Sequence, residues 1–302
     1  MANSEPLAPV RLTSADVLAG VALSDAAGWN QTDDDWQLFV EQGEAIGLRT
    51  AQNQLVASAA TLPFTAANTA GGARRVAWIS MVLVTAKWQH RGLATRLLAE
   101  CVRGLQAEGI TPMLDATPAG EPVYRRMGFE PGFEFTRWQR ESQPAESEGE
   151  SRQPAGAIRR ASAQDIEVIV TLDSAACGLD RRFLLRALLE RKGSNAWLLQ
   201  EYGGTPAGFV IARAGNRARQ IGPLVAQGVS QALALLDAAL AQSINRVFLD
   251  VPSPWHALVA ALIARGFERQ RSFVRMTLGG ALPDWVKRPD KRQFVLAGPE
   301  FG

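Results

Sequence analysis

The chain has 302 residues, with 32 Lys and Arg against 30 Asp and Glu, a net charge of +2, which gives little support to a nucleic-acid partner. Hydrophobic residues make up 47% and charged residues 21%, which excludes a disordered, collagenous or coiled-coil chain and leaves apolar material for two cores. The two cysteines, Cys101 and Cys177, have no partners at ligand spacing, which argues against a disulfide framework and a zinc site. No metal is expected. The opening MANSEPLAPV lacks a basic start followed by an apolar block, so no signal peptide is read there. The apolar run from Trp255 to Ala264 is too short to span a bilayer. A soluble, cytoplasmic protein without a membrane partner is the expectation.

In chain order, Trp29 and Trp36 flank Asp33, Asp34 and Asp35. Acidic residues beside aromatics attract a cationic amine, and equally suit the capped start of a helix. Val76–Val84 is a near-continuous apolar run, as in a strand covered on both faces. From Leu93, the residues Leu97, Leu98, Cys101, Val102 and Leu105 recur at helical spacing, and Gly109 stops the helix. Met113–Thr117 reads as a short strand. Pro118 is placed to open a second short helix ending near Gly128, and Phe133–Trp138 reads as a further strand. This alternation is an α/β arrangement around a central sheet.

Residues 142–155, SQPAESEGESRQPA, contain no large apolar side chain and read as a linker. The segments on either side of it match in one order. VRLTSAD (10–16) is followed by IRRASAQD (158–165) in the second half, and LSDAAG (23–28) by LDSAACG (172–178). WISMVLVT (78–85) matches QIGPLVAQ (220–227), and MLDAT (113–117) matches FLDVP (248–252). MGFEPGFEFTRW (127–138) matches RGFERQRSFVRM (265–276). Five matches in one order point to a duplicated domain of about 130–150 residues. The expected division is 1–141, a linker at 142–155, and 156–302.

Between the strand ending at Val84 and the helix starting at Leu93 lies Gln89-His90-Arg91-Gly92-Leu93-Ala94. Small residues at 92 and 94 let backbone approach a ligand closely, and the free amides of a helix start suit a pyrophosphate. Small residues also occur at such turns for packing alone. The segment resembles the Gln/Arg-x-x-Gly-x-Gly/Ala motif of the GNAT N-acetyltransferase superfamily. Tyr124-Arg-Arg-Met-Gly128-Phe129 resembles that family's Tyr-x-x-x-Gly-Phe segment. The resemblance covers roughly residues 8–140, and the whole chain is similar to a tandem subgroup with a divergent second GNAT-like domain. It implies two tandem α/β domains, each a mixed central sheet flanked by helices.

The resemblance further implies acetyl-CoA as co-substrate, held by Val82, Leu83 and Val84 along the strand and by Gln89, His90, Arg91, Gly92, Leu93, Ala94 and Thr95 at the loop. It implies the Leu83 backbone amide as the group that polarises the thioester carbonyl, and Tyr124 as the general acid that protonates the departing thiolate. Asp115 is a candidate base, with helix capping as its other reading. Trp29, Asp33 and Trp36 are candidates for the acceptor site. His90 is expected to contribute its backbone amide.

The second half lacks both parts. After Leu224-Val225-Ala226 no glycine pattern of the cradle follows, and Leu262 falls opposite Tyr124; a leucine donates no proton. That half is expected to keep the fold without a cofactor site. Its Arg181, Arg182, Arg265 and Arg271 read most simply as solvated surface, with the alternative that this domain closes over the first and shapes the acceptor site. The implied activity is acetyl transfer to a primary amine of a small molecule, by direct attack in a ternary complex. The alternative is an acyl-CoA-binding sensor without fast turnover. Oligomeric state is not legible.

Overall fold

A computed structural model describes residues 7–66, 75–142, 157–243, 245–279 and 289–302. The first half runs β1 (Ala8–Arg11), α1 (Val17–Ala26), α2 (Asp33–Gln42), β2 (Glu44–Arg49), β3 (Leu55–Ala66), β4 (Arg75–Val84), α3 (Leu93–Ala107), β5 (Thr111–Ala116), α4 (Glu121–Arg126) and β6 (Phe129–Arg140). The second runs β7 (Ala157–Arg160), α5 (Ile166–Cys177), β8 (Leu179–Asp180), α6 (Arg182–Glu190), β9 (Asn195–Gln200), β10 (Pro206–Arg213), β11 (Arg219–Ala226), α7 (Val229–Leu240), β12 (Val247–Pro252), α8 (His256–Ala264), β13 (Glu268–Leu278) and β14 (Gln293–Val295). Apart from Ser142, the linker read at 142–155 lies outside the described residues.

The duplication is visible in local chemistry. Thr13 and Asp16 close a capping box before α1, and Ser162 and Asp165 close the same box before α5. Thr32 and Asp35 form a third before α2. The apolar run at Val76–Val84 is β4, and the amphipathic stretch from Leu93 is α3, after which Gly109 adopts φ +69°. The short helix starts later than Pro118: α4 begins at Glu121, with Pro122 in its first turn, where a missing amide costs nothing.

All fourteen strands belong to one sheet: twelve follow the order β1-β2-β3-β4-β5-β13-β6-β12-β11-β10-β9-β7, while β8 pairs with β3 and β14 with β11 beside that path. The order is a palindrome of the two repeats. Neighbours are antiparallel except for β4–β5 and β11–β12, which are parallel. At the centre the last strands are exchanged. β13 lies between β5 and β6, and β6 lies between β13 and β12.

Two equivalent ion pairs lock the exchange. Asp115 on β5 stands opposite Arg275 on β13, which donates Nε and Nη2 to the two carboxylate oxygens at 2.9 and 3.0 Å. Asp250 on β12 stands opposite Arg137 on β6, bonded at 2.8 and 2.7 Å. All four side chains are buried. Such forked pairs combine charge with fixed geometry.

The halves also share a core. One apolar cluster joins Trp36 and Phe39 to Leu184, Leu188 and Phe301. Phe39 stacks on Phe301 with centroids 5.7 Å apart. Arg191 pairs with Asp35 across the halves, and Asn30 Oδ1 accepts from the amides of Arg217 and Ala218, both at 2.9 Å. Arg181 corrects the solvated-surface reading: it is fully buried, forked onto Asp173 and bonded to the Gly302 carbonyl. Arg182 is exposed and pairs with Glu167, and Arg265 pairs with Asp237 at a part-buried position. Both cysteines are free and buried, and burial pushes their thiols up to about 12.

Candidate active site

β4 and β5 pair only at Val76, Ala77 and Trp78 against Thr111, Pro112 and Met113. Beyond that point β4 runs on to Val84 bonded to β3 alone, while β5 turns to β13. A gap therefore opens between two parallel strands. On β4 the register to β3 slips between Ser80 and Leu83, and Met81 takes φ +53° there. This is a bulge, which bends the strand and re-aims its groups. Ser58 Oγ holds the bulge through the Met81 carbonyl at 2.8 Å.

The bulge changes which amide is available. The Thr85 amide donates to Val56 on β3 at 2.9 Å, and Leu83 stands opposite Ser58. By the two-residue alternation of an antiparallel ladder, the Leu83 amide faces β3 and those of Val82 and Val84 face the gap. The Leu83 side chain is buried in the core. The groups expected of Leu83 thus fall to its neighbours.

At the mouth of the gap the Gln89 side chain donates to the Val84 carbonyl at 3.1 Å. His90 has φ +61° and Gly92 φ +74°. A Cβ on Gly92 would meet no atom within 4 Å, so the space before it is open. Gly92 caps α3, and its carbonyl accepts from Arg96, which leaves the amides of Leu93, Ala94 and Thr95 without helix partners. Arg91 lies 4.8 Å over the Trp88 ring, which fixes a cation beside those amides. This cradle fits a pyrophosphate: free donors, positive potential and no Cβ in the way.

The gap leads into a cavity of about 160 Å³. Tyr124 lines it from α4, its ring 6.1 Å from Phe129. Burial pushes the Tyr124 phenol up, so it keeps its proton at neutral pH. Asp115 lines the cavity too, but both its oxygens are taken by Arg275, and the Trp78 indole adds a bond at 3.2 Å. Burial raises its carboxyl and Arg275 opposes that rise. A carboxylate so engaged anchors the exchanged strand, with three of its roughly four acceptor positions occupied.

Of the aromatic–acidic group, only Trp29 lines the cavity. Trp36 is buried in the shared core, its indole bonded to Ser24 at 2.8 Å. Asp33 is exposed in the first turn of α2, where its carboxylate accepts from the Asp34 amide. The capping reading describes these residues.

The sequence offers, as an alternative, a second half that closes over the first, but it does not identify the residues of the far wall. Arg271 and Phe273 on β13 and Pro299 and Glu300 beyond β14 close the cavity from the second half. No local pattern marks them, because strand exchange and the path of residues 289–302 bring them there. Arg271 thus lines the cavity and is not simply solvated surface.

The matching gap in the second half is filled. β11 and β12 pair at three positions, Arg219 to Ile221 against Val247 to Leu249. Past that point β14 bonds to β11, and the Leu296 amide donates to the Asp250 carbonyl of β12. Gly222 permits this, since a Cβ there would lie 2.1 Å from the Leu296 carbonyl oxygen. Leu262, opposite Tyr124 in the repeat, is fully buried.

An acyl-transferase fold with one open strand gap is the class these features define. Models of the GNAT acetyltransferase domain match residues 11–132 and 169–289, and the chain belongs to the GNAT acetyltransferase family. It is 22% identical over 262 residues to the uncharacterized N-acetyltransferase YitH of Bacillus subtilis, covering 86% of this chain and 87% of that one. A solved acetyltransferase-fold protein of Pyrococcus horikoshii superposes with a TM-score of 0.75 at 18% identity, over 100% of this chain and 98% of the other. A tandem GNAT protein from the clavulanic acid biosynthesis pathway gives 0.63 at 16% identity, over 92% and 100%. Among the described residues no helix is long and apolar enough to cross a membrane.

Proposed function

We propose that the protein transfers acetyl from acetyl-CoA to the primary amine of a small molecule, with both bound together. The first repeat, 1–141, carries the chemistry, and 156–302, joined through the linker at 142–155, supplies the far wall of the acceptor cavity. The observation that carries this reading is the continuity of the site: the Gly92 cradle, the gap between β4 and β5, and the Tyr124 cavity follow one another.

Acetyl-CoA supplies a thioester carbonyl as the acyl donor. The amides at the start of α3 and Arg91 bind its pyrophosphate, and the gap-facing edge of β4 bonds its pantetheine arm. The Val82 amide, beside the bulge and in the cavity wall, stabilises the negative charge that develops on the carbonyl oxygen as the amine attacks. The neutral amine forms the C–N bond, Tyr124 donates its proton to the sulfur as the C–S bond breaks, and the proton released by the nitrogen returns through water to the Tyr124 phenolate.

A general acid acts mainly in the transition state. Tyr124→Phe keeps the ring against Phe129 and removes the proton. Its kcat should fall by about 10²-fold, with the affinity for acetyl-CoA little changed. Steady-state kinetics with calorimetric binding checks this. Full turnover in the variant, with chemistry rate-limiting, assigns the acid to another group or to water. Equilibrium dialysis should give one acetyl-CoA per chain, since β14 fills the second gap; two comparable sites would overturn that expectation.

A further inference from the structure

Three polar atoms buried in this protein without a hydrogen-bond partner belong to residues that line the same cavity: Glu300 Oε2, Ser80 Oγ and Gln31 Oε1. Buried polar atoms are almost always paired, so three orphans on residues lining one cavity mark a place where a ligand completes the bonding. Glu300 is more than nine-tenths buried, and its other oxygen accepts from Arg213 at 3.0 Å. Gln31 is equally buried, and its main chain is pinned by Asn216, which donates to the Gln31 carbonyl at 2.7 Å. An ionised carboxylate only accepts, a serine hydroxyl accepts or donates, and an amide presents either end. The partner such a set requires is rich in N–H donors, as an ammonium is.

The charges of the wall point to a second feature of the ligand. Arg137 is neutralised by Asp250, Asp115 by Arg275, and Glu300 by Arg213. Arg271 is the cavity-lining cation with no carboxylate partner among the described residues. It is half-buried, lies 5.7 Å over the Phe273 ring, and feels the repulsion of Arg137. A guanidinium held this way is suited to a forked bond with a carboxylate.

We propose that the acceptor is a primary amine that also carries a carboxylate, an amino-acid-like zwitterion whose ammonium is held by Glu300, Ser80 and Gln31 and whose carboxylate is held by Arg271. This rests on the reading of the cavity as the acceptor site of an acetyltransferase. The ammonium meets the acceptor cluster and, once it has given a proton to solvent, presents the lone pair of its nitrogen to the gap where the Val82 amide lies.

The experiment compares the primary-amine amino acids other than aspartate and glutamate with the amines that decarboxylation of each would give. Release of CoA thiol is measured for wild type, Arg271→Gln, Arg271→Lys and Glu300→Gln, and acetyl-CoA binding is measured for each by calorimetry. Carboxylated acceptors should be preferred by at least about tenfold in kcat/KM, the scale of a charge-assisted bond. Arg271→Gln should bring that ratio close to one with acetyl-CoA affinity retained, and Arg271→Lys should restore part of it. Glu300→Gln should raise KM for amines with and without a carboxylate. Equal use of both classes by wild type, or a preference that survives Arg271→Gln, overturns the inference. So does a protein that binds acetyl-CoA but consumes no carboxylated amine. Failure of the wild type to bind acetyl-CoA would instead overturn the acetyltransferase reading itself.

Discussion

Gly92→Glu should abolish acetyl-CoA binding in a chain that still folds. Gly92 sits at φ +74°, a left-handed conformation that costs an ordinary residue about 1–2 kcal/mol. A Cβ there meets no protein atom within 4 Å, so the fold loses little more than that. The space into which the new side chain extends is the space proposed for the pyrophosphate. A carboxylate placed there competes for the amides of Leu93, Ala94 and Thr95 and repels the phosphates. Losing two charge-assisted bonds of ~1.5–3 kcal/mol each should raise the Kd by more than about 100-fold. Calorimetric titration measures this directly, with circular dichroism as the folding control. Gly92→Asn separates backbone from ligand effects, because Asn tolerates the left-handed conformation and carries no charge. It should bind acetyl-CoA measurably. Wild-type affinity in a folded Gly92→Glu protein would remove the cradle from the site.

Arg275→Met should destabilise the chain by about 3–5 kcal/mol, the cost of leaving one partner of a buried pair unpaired. Asp115 would keep only the Trp78 indole as a bonding partner, in a wall where its side chain has no exposure. The loss falls on the contact between exchanged strands, so it should appear as a lower urea midpoint for the entire chain. Arg275 is also sandwiched between Trp78 and Phe133, at 4.8 and 4.7 Å, and Met refills much of that apolar space. The double variant Asp115→Leu with Arg275→Met should recover a large part of the loss, since replacing both members of a buried pair by apolar groups is often near neutral. A change below about 1 kcal/mol in the single variant would mean that Asp115 is protonated or hydrated and that the pair does not lock the strands.

Much of the site was legible because its signals are local. The β4 run, the turn at Gln89–Ala94 and the amphipathic α3 each depend on residues near in sequence, and periodicity with turn chemistry reports them. Tyr124 was found through its place in a motif, and it lines the cavity. The direction of the Leu83 amide, toward β3, depends on a bulge at Met81 that shifts the alternation, and an apolar run gives no sign of a bulge. Trp36 and Asp33 were grouped with Trp29 by proximity in sequence, but α2 begins at Asp33 and carries them away from the cavity, Trp36 into the shared core and Asp33 to solvent.

By itself the sequence determined that the chain holds two copies of one α/β unit, that the first copy has the small-residue turn at Gln89–Ala94 and Tyr124, and that the second lacks both. Only the tertiary structure decided which copy's last strand lies beside which sheet. Asp115 and Asp250 occupy equivalent places, as do Arg137 and Arg275, so strands kept within a repeat and strands exchanged between repeats satisfy the same pattern of charge and apolar residues. Strand pairing is non-local, and a residue pattern repeated twice carries no information about which partner is chosen. The exchange, together with the path of residues 289–302, sets Arg271 and Glu300 in the wall opposite Tyr124 and seals the second gap with β14. That is why the turn at Gln89–Ala94 could be read from six consecutive residues, while the cavity wall, built from side chains as far apart as Gln31 and Glu300, could not.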